Sequence, residues 1–358
     1  MIWAASAGIF AQNTGAVAAC ARYGGLYGYL RPDGTWLVPP QFEKAELFSE
    51  GLARVCKGKK WGYIDATGKF RIAPRYDEAL PFRQNRAPVR VGARWGFCDG
   101  EGREVVAPQY DDAGVFSHFR AAVCKDGRWG YIDTSGAVAT PLRYLNAAVY
   151  SEGRARVRTE NGVGFIDVYG TPATLFGYAD AYNFIDGRAE VSDGRYWGWI
   201  TPDGLACVPL IFDHTLPFSE GCAFVSLDDQ PALIDEKGKT ILFLPFESGG
   251  RMRDGRVRVG DGMRRGFIDR TGKLVVPLVY DDAMEFQEGR AAVKRDGKWG
   301  FLSQDGKTAV PIKYEAVFNY SHGLAAAKLQ GLWGFVNADG QTAVGHKFSD
   351  VSSFHQIY

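Results

Sequence analysis

The chain has 358 residues, with 42 Lys plus Arg against 41 Asp plus Glu. This near-neutral balance argues against nucleic-acid and anionic-membrane binding, which lean on a basic surplus, and no apolar run reaches the roughly 18–20 residues of a membrane-spanning helix. The six cysteines stand apart, without CxxC spacing or histidine partners, so they read as small buried thiols, and no metal or cofactor is expected.

Residues 1–15, "MIWAASAGIFAQNTG", form an N-terminal extension. It lacks a basic start, yet Ala5-Ser6-Ala7 resembles a cleavage site, so a signal-peptide remnant is one reading. A cytoplasmic location is expected, with the periplasm or secretion as the alternative. From residue 16 to 355 a period of 34 residues runs without insertion, and 356–358 is left as a tail. The glycine of "WG" marks it: Gly28, Gly62, Gly96, Gly130, Gly164, Gly198, then Ala232, Gly266, Gly300 and Gly334. Ten copies form one repeat domain and leave no room for a second.

Each copy begins with a strand carrying Ala and Val two apart, as in Ala121 and Val123 or Ala155 and Val157. Small apolar residues at spacing two predict one packed face with a neighbour approaching closely. Pairs such as Asp126-Gly127, Asp296-Gly297 and Gly24-Gly25 follow, and they suit tight hairpin turns. The WG strand comes next, with an aromatic such as Tyr131 and then an aliphatic such as Ile132. After it "DTSG" (133–136) is close to the Asp-Thr-Gly of an aspartic protease. Asp133, however, shares its column with Asp65, Asp99, Asp167, Asp235 and Asp269, and Gly136 is one of ten turn glycines. A carboxylate entering a turn accepts backbone N–H bonds, which is reason enough for it. A third strand, often closed by proline, leads to two aromatic columns six residues apart (Tyr144 and Tyr150, for instance) that predict a fourth short strand or a crossing segment.

In "GRWGYIDTSG" (127–136), and in residues 297–306 and 59–69, the sequence resembles the bacterial WG-repeat (KWG-repeat) family. The resemblance implies a β-repeat protein used for binding or interaction, with no shared catalytic residues. The chain departs from the motif at Tyr27, Val163, Pro231 and Arg265, which leaves repeats five, seven and eight degenerate. The fold class is therefore all-β: ten antiparallel units stacked either as a propeller-like ring or as a superhelical β-solenoid, because no unit can bury its apolar face alone.

Trp61, Trp95, Trp129, Trp197, Trp299 and Trp333, with Tyr27, could form platforms for sugars or quaternary ammonium groups. Their strand is apolar on both faces, so they read first as core. Arg22, Arg54, Arg90, Arg156, Arg158, Arg258, Lys294 and Lys328 would line a partly basic stripe if the units stack in register. Glu43, Asp77, Asp111, Asp213, Glu247, Asp281 and Glu315 would line an acidic one. No nucleophile, base or metal cluster recurs or stands out, so an enzyme is not expected. The function read from the sequence is a monomeric, non-catalytic scaffold for a protein partner, and the alternative is a carbohydrate or cell-wall binder.

Overall fold

The computed structural model describes residues 16–357, so the 1–15 extension lies outside the described residues. No helix occurs among the described residues, and hence none that is long and apolar enough to cross a membrane. The chain forms ten antiparallel sheets, here blades 1 to 10, in a propeller-like ring. Blade 4 shows the pattern: a crossing strand (Asp112–Ala113), an alanine–valine strand (Arg120–Lys125), a WG strand (Arg128–Asp133) and a bulged strand (Val138–Tyr144), hydrogen-bonded in that order. The predicted turns are present. Asp126 and Gly127 have φ of 53° and 71°, the left-handed pair that a two-residue hairpin requires.

The third strand does not end at its proline. It runs through Pro141 to Tyr144, because its register against the WG strand shifts between Trp129↔Tyr144 and Tyr131↔Thr140. Three residues there face Gly130 alone, and the proline, which has no N–H to donate, sits inside that bulge. The shift also explains the WG glycine: a Cβ on Gly130 would stand 2.5 Å from the Thr140 carbonyl oxygen. Blade 7 carries Ala232 instead. Its third strand pairs Ala232↔Phe243 and Leu233↔Leu242 without that shift and shortens to Thr240–Phe243. Blade 5, with Val163 in place of tryptophan, loses the third strand and keeps two isolated bridges.

The core lies between blades rather than within them. Phe97, Val106 and Tyr110 of blade 3 pack with Ala113, Phe116, Ala121 and Val123 of blade 4. The aromatic after each WG meets the second aromatic column of the next blade, as in Tyr131–Tyr150 at 4.8 Å and Phe335–Phe354 at 4.8 Å. Such pairs contribute about 0.5–1.5 kcal/mol each beyond area burial.

The ring closes. Ala21 and Arg22 of blade 1 pair with Val351 and Asp350, so one blade is built from both ends of the chain. Gln356 pairs with Val17 and Ile357 is buried, so these tail residues belong to the seam. Gly34 nests on Val344 of blade 10 as Gly68 nests on Val38 of blade 1, and the seam therefore repeats the ordinary blade-to-blade contact.

Candidate functional site

Trp95, Trp299 and Trp333 are buried, whereas Trp61, Trp129, Trp197 and Tyr27 are half-buried. Their ring faces are largely occupied by the protein itself. Arg54 lies 5.2 Å from the Trp61 ring, Arg90 5.9 Å from Trp95, Lys294 5.9 Å from Trp299, Lys328 6.0 Å from Trp333 and Arg22 5.6 Å from Tyr27. Tyr182 stacks on Trp197 at 5.3 Å, and Phe318 on Trp333 at 4.9 Å. Trp129 has neither kind of cover among the described residues.

The basic column thus meets the aromatic one, and part of it also ties blades together. Arg54, Arg156 and Arg258 donate to the carbonyls of Ala79, Ala181 and Ala283 in the next crossing strand. Arg158 donates to Ala179 at 3.0 Å. The stripe is interrupted where Cys56 and Cys124, which are buried, take the same register. The acidic column caps the hairpin turns: Glu43 accepts from Gly58, Asp77 from Gly92 and Asp111 from Asp126. A lysine hydrogen bond from Lys60 holds the Asp77 carboxyl below its usual range. Asp133 accepts N–H bonds from Ser135 and Ala137, together with the Ser135 hydroxyl at 2.6 Å, which lowers its pKa first of all. It is a turn residue.

Two columns escaped the sequence reading. Arg86, Arg120, Arg154, Arg256 and Arg290 each reach a carbonyl 48 residues on, in the turn that follows the WG strand of the next blade. Where Cys222 replaces this arginine, Arg270 reaches back from that turn to Glu220. The second column lies in the loops before the alanine–valine strands. Glu50 accepts from Gln84 and Asn85, Gln84 from Phe119, His118 from Gly153 and Glu152 from Gly187. Glu220, Asp254 and Glu288 continue this ladder around the ring. The signal was the 34-residue recurrence of polar residues before Gly, but it shows as a ladder only once the blades are side by side.

On this loop face, from blade 4 to blade 6, apolar residues replace glycine or polar ones. Phe119 stands in a column where seven of nine positions are glycine, has φ of 58° and is 63% exposed. A bulky residue there carries backbone strain with no burial to offset it. Arg120 joins its carbonyl to that of Val168, next to Tyr169, which is 79% exposed. Ile185 (52%) replaces a polar residue, and Leu205 (66%) a mostly charged one. The Leu205 turn packs on Thr174, beside Leu175, which is 89% exposed.

Beneath Ile185, between blades 6 and 7, Glu190 is only 5% exposed and its Oε1 has no hydrogen-bond partner among the described residues. Burial raises its pKa, while Thr215 and Arg251 oppose the rise. Asn183, Ile185, Arg188, Trp199, Pro217 and Phe218 line the crevice around it.

The WG containing repeat family matches residues 27–61, 61–95, 95–129, 129–162, 197–230, 266–299, 299–333 and 333–356. The chain belongs to the WG-repeat family. The internal stretches of this WG-repeat chain left unmatched, 163–196 and 231–265, hold the degenerate blades, and the first of them contains Tyr169, Leu175, Ile185 and Glu190. A crystal structure of a eukaryotic initiation factor superposes with a TM-score of 0.57 at 11% identity, covering 95% of this chain and 98% of that one. At that identity the likeness is one of fold. Dihydro-heme d1 dehydrogenase NirN gives 0.44 at 11% identity, covering 99% and 78%. The extracellular domain of a hybrid two component system from B. thetaiotaomicron gives 0.29 at 11%, covering 90% and 61%. No curated protein matches the sequence.

Proposed function

We propose that this WG-repeat ring is a non-catalytic binding scaffold whose loop face on blades 4–6 receives a protein partner. The observation that carries this reading is Phe119, an exposed aromatic held at left-handed φ where the repeat otherwise prefers glycine. Such a residue weakens the fold twice and is kept where a contact outside the chain compensates. Tyr169, Leu175, Ile185 and Leu205 extend the surface in one sector, as the centre of a protein interface requires. The recurring carboxylates are engaged in turn and hairpin caps, which favours a scaffold over an enzyme.

The test is quantitative binding to whatever partner co-purifies, using the wild type and a Phe119→Gly, Tyr169→Ser double variant. The reading expects a loss of at least about tenfold, since aromatic anchors dominate such interfaces. Unchanged affinity would reject this face. The glycan reading keeps one specific residue, Trp129. It would gain if Trp129→Ala abolished binding to an immobilised cell-wall polysaccharide.

A further inference from the structure

In blades 2, 5 and 8 the position corresponding to Glu190 is an arginine (Arg54, Arg156 and Arg258) that crosses to a carbonyl of the next blade. Blade 6 reverses the charge. A carboxylate has no proton to donate to the carbonyl of Thr215, the counterpart of Ala79, Ala181 and Ala283, and although the Thr215 hydroxyl favours its charged form, Oε1 is left without a partner among the described residues. The nearby guanidiniums are committed elsewhere: Arg188 to Glu236 at 3.5 Å and to the Phe218 ring at 4.7 Å, and Arg251 to Glu285 at 3.7 Å. A buried carboxylate with one oxygen unpartnered is costly, and a cation that supplies the missing donor reduces the cost.

The crevice has room for one group the size of a water. An ammonium is of that size and carries three donors, whereas a guanidinium is a wider planar fork. Ile185 stands both at this crevice and in the exposed apolar sector, so a chain lying on that sector passes its mouth. We propose that Glu190 is the socket for a lysine side chain of the protein partner, set within a segment whose flanking residues are apolar. This rests on the docking face proposed above and names the group that face selects.

Intact protein would be used to select from a phage-displayed library of random peptides. The enriched peptides would then be measured by fluorescence anisotropy against wild type, Glu190→Gln and the Phe119→Gly, Tyr169→Ser variant. The expected winners carry a lysine with apolar neighbours. Their affinity falls about tenfold or more both on Glu190→Gln and, with wild-type protein, on acetylation of that lysine. Winners without lysine, or affinities untouched by both changes, would overturn the socket. If the Phe119 and Tyr169 variant still weakened those peptides, the docking face would stand without it. Indifference to that variant, or no winners at all, would overturn both.

Discussion

Phe119 and Glu190 are single positions where the chain departs from its own repeat at a cost in stability. Relief of the left-handed strain by Phe119→Gly is worth about 1 kcal/mol, and little burial is lost because the ring is exposed. That variant is expected to melt at a higher temperature while binding more weakly, which calorimetry and a binding assay together would check. For Glu190, burial raises the folded-state pKa above the unfolded value near 4.5. The folded state therefore holds the proton more tightly. The penalty is absent below the unfolded pKa and fully present above the folded one. Glu190→Gln should accordingly raise the melting temperature at neutral pH, with the gain vanishing in acid. A gain that persisted unchanged below pH 4.5 would contradict the burial argument.

At the scale of the strand, the WG pair divides its labour. The glycine admits the bulged strand, and the tryptophan meets the aromatic at that strand's far end, as Trp129 faces Tyr144. Gly130→Ala should cost about 1–3 kcal/mol, the range for overpacking, because the new methyl meets backbone that cannot step aside. Blade 7 shows the other resolution: with Ala232 the bulge opposite that position is gone and the strand is shorter. Denaturant melts of the Gly130 variant would measure the difference. Trp95, Trp299 and Trp333 should also resist acrylamide quenching in the folded state, given their burial beneath Arg90, Lys294, Lys328 and Phe318. Quenching as strong as in the unfolded chain would return them to the surface.

The whole molecule depends on its seam. Phe354 and Ile357 are buried there, and Val351 continues the blade 1 sheet. Val351→Asp places a charge in the contact between the two ends and is expected to cost about 3 kcal/mol or more. Small-angle scattering at intermediate denaturant should then show an opened, larger particle before unfolding is complete. A variant as compact and as stable as wild type would mean that the remaining interfaces hold the ring without its closing strand.

Much of this was legible in one chain because it depends on local geometry. Alternation of Ala and Val, Asp-Gly pairs at hairpins and a turn glycine every 34 residues are properties of φ, ψ and side-chain direction that a short segment already carries. The period alone also settled that Asp133 is a turn residue. Closure was not legible, because the small rotation from one blade to the next accumulates over ten interfaces, and a slight change in each separates a ring from an open spiral. Nor could any segment show that Glu190 would lie buried with one oxygen unpartnered, or that Arg54 and its counterparts would cover their own tryptophans. Those facts belong to contacts between blades, and only the packed ring brings such residues together.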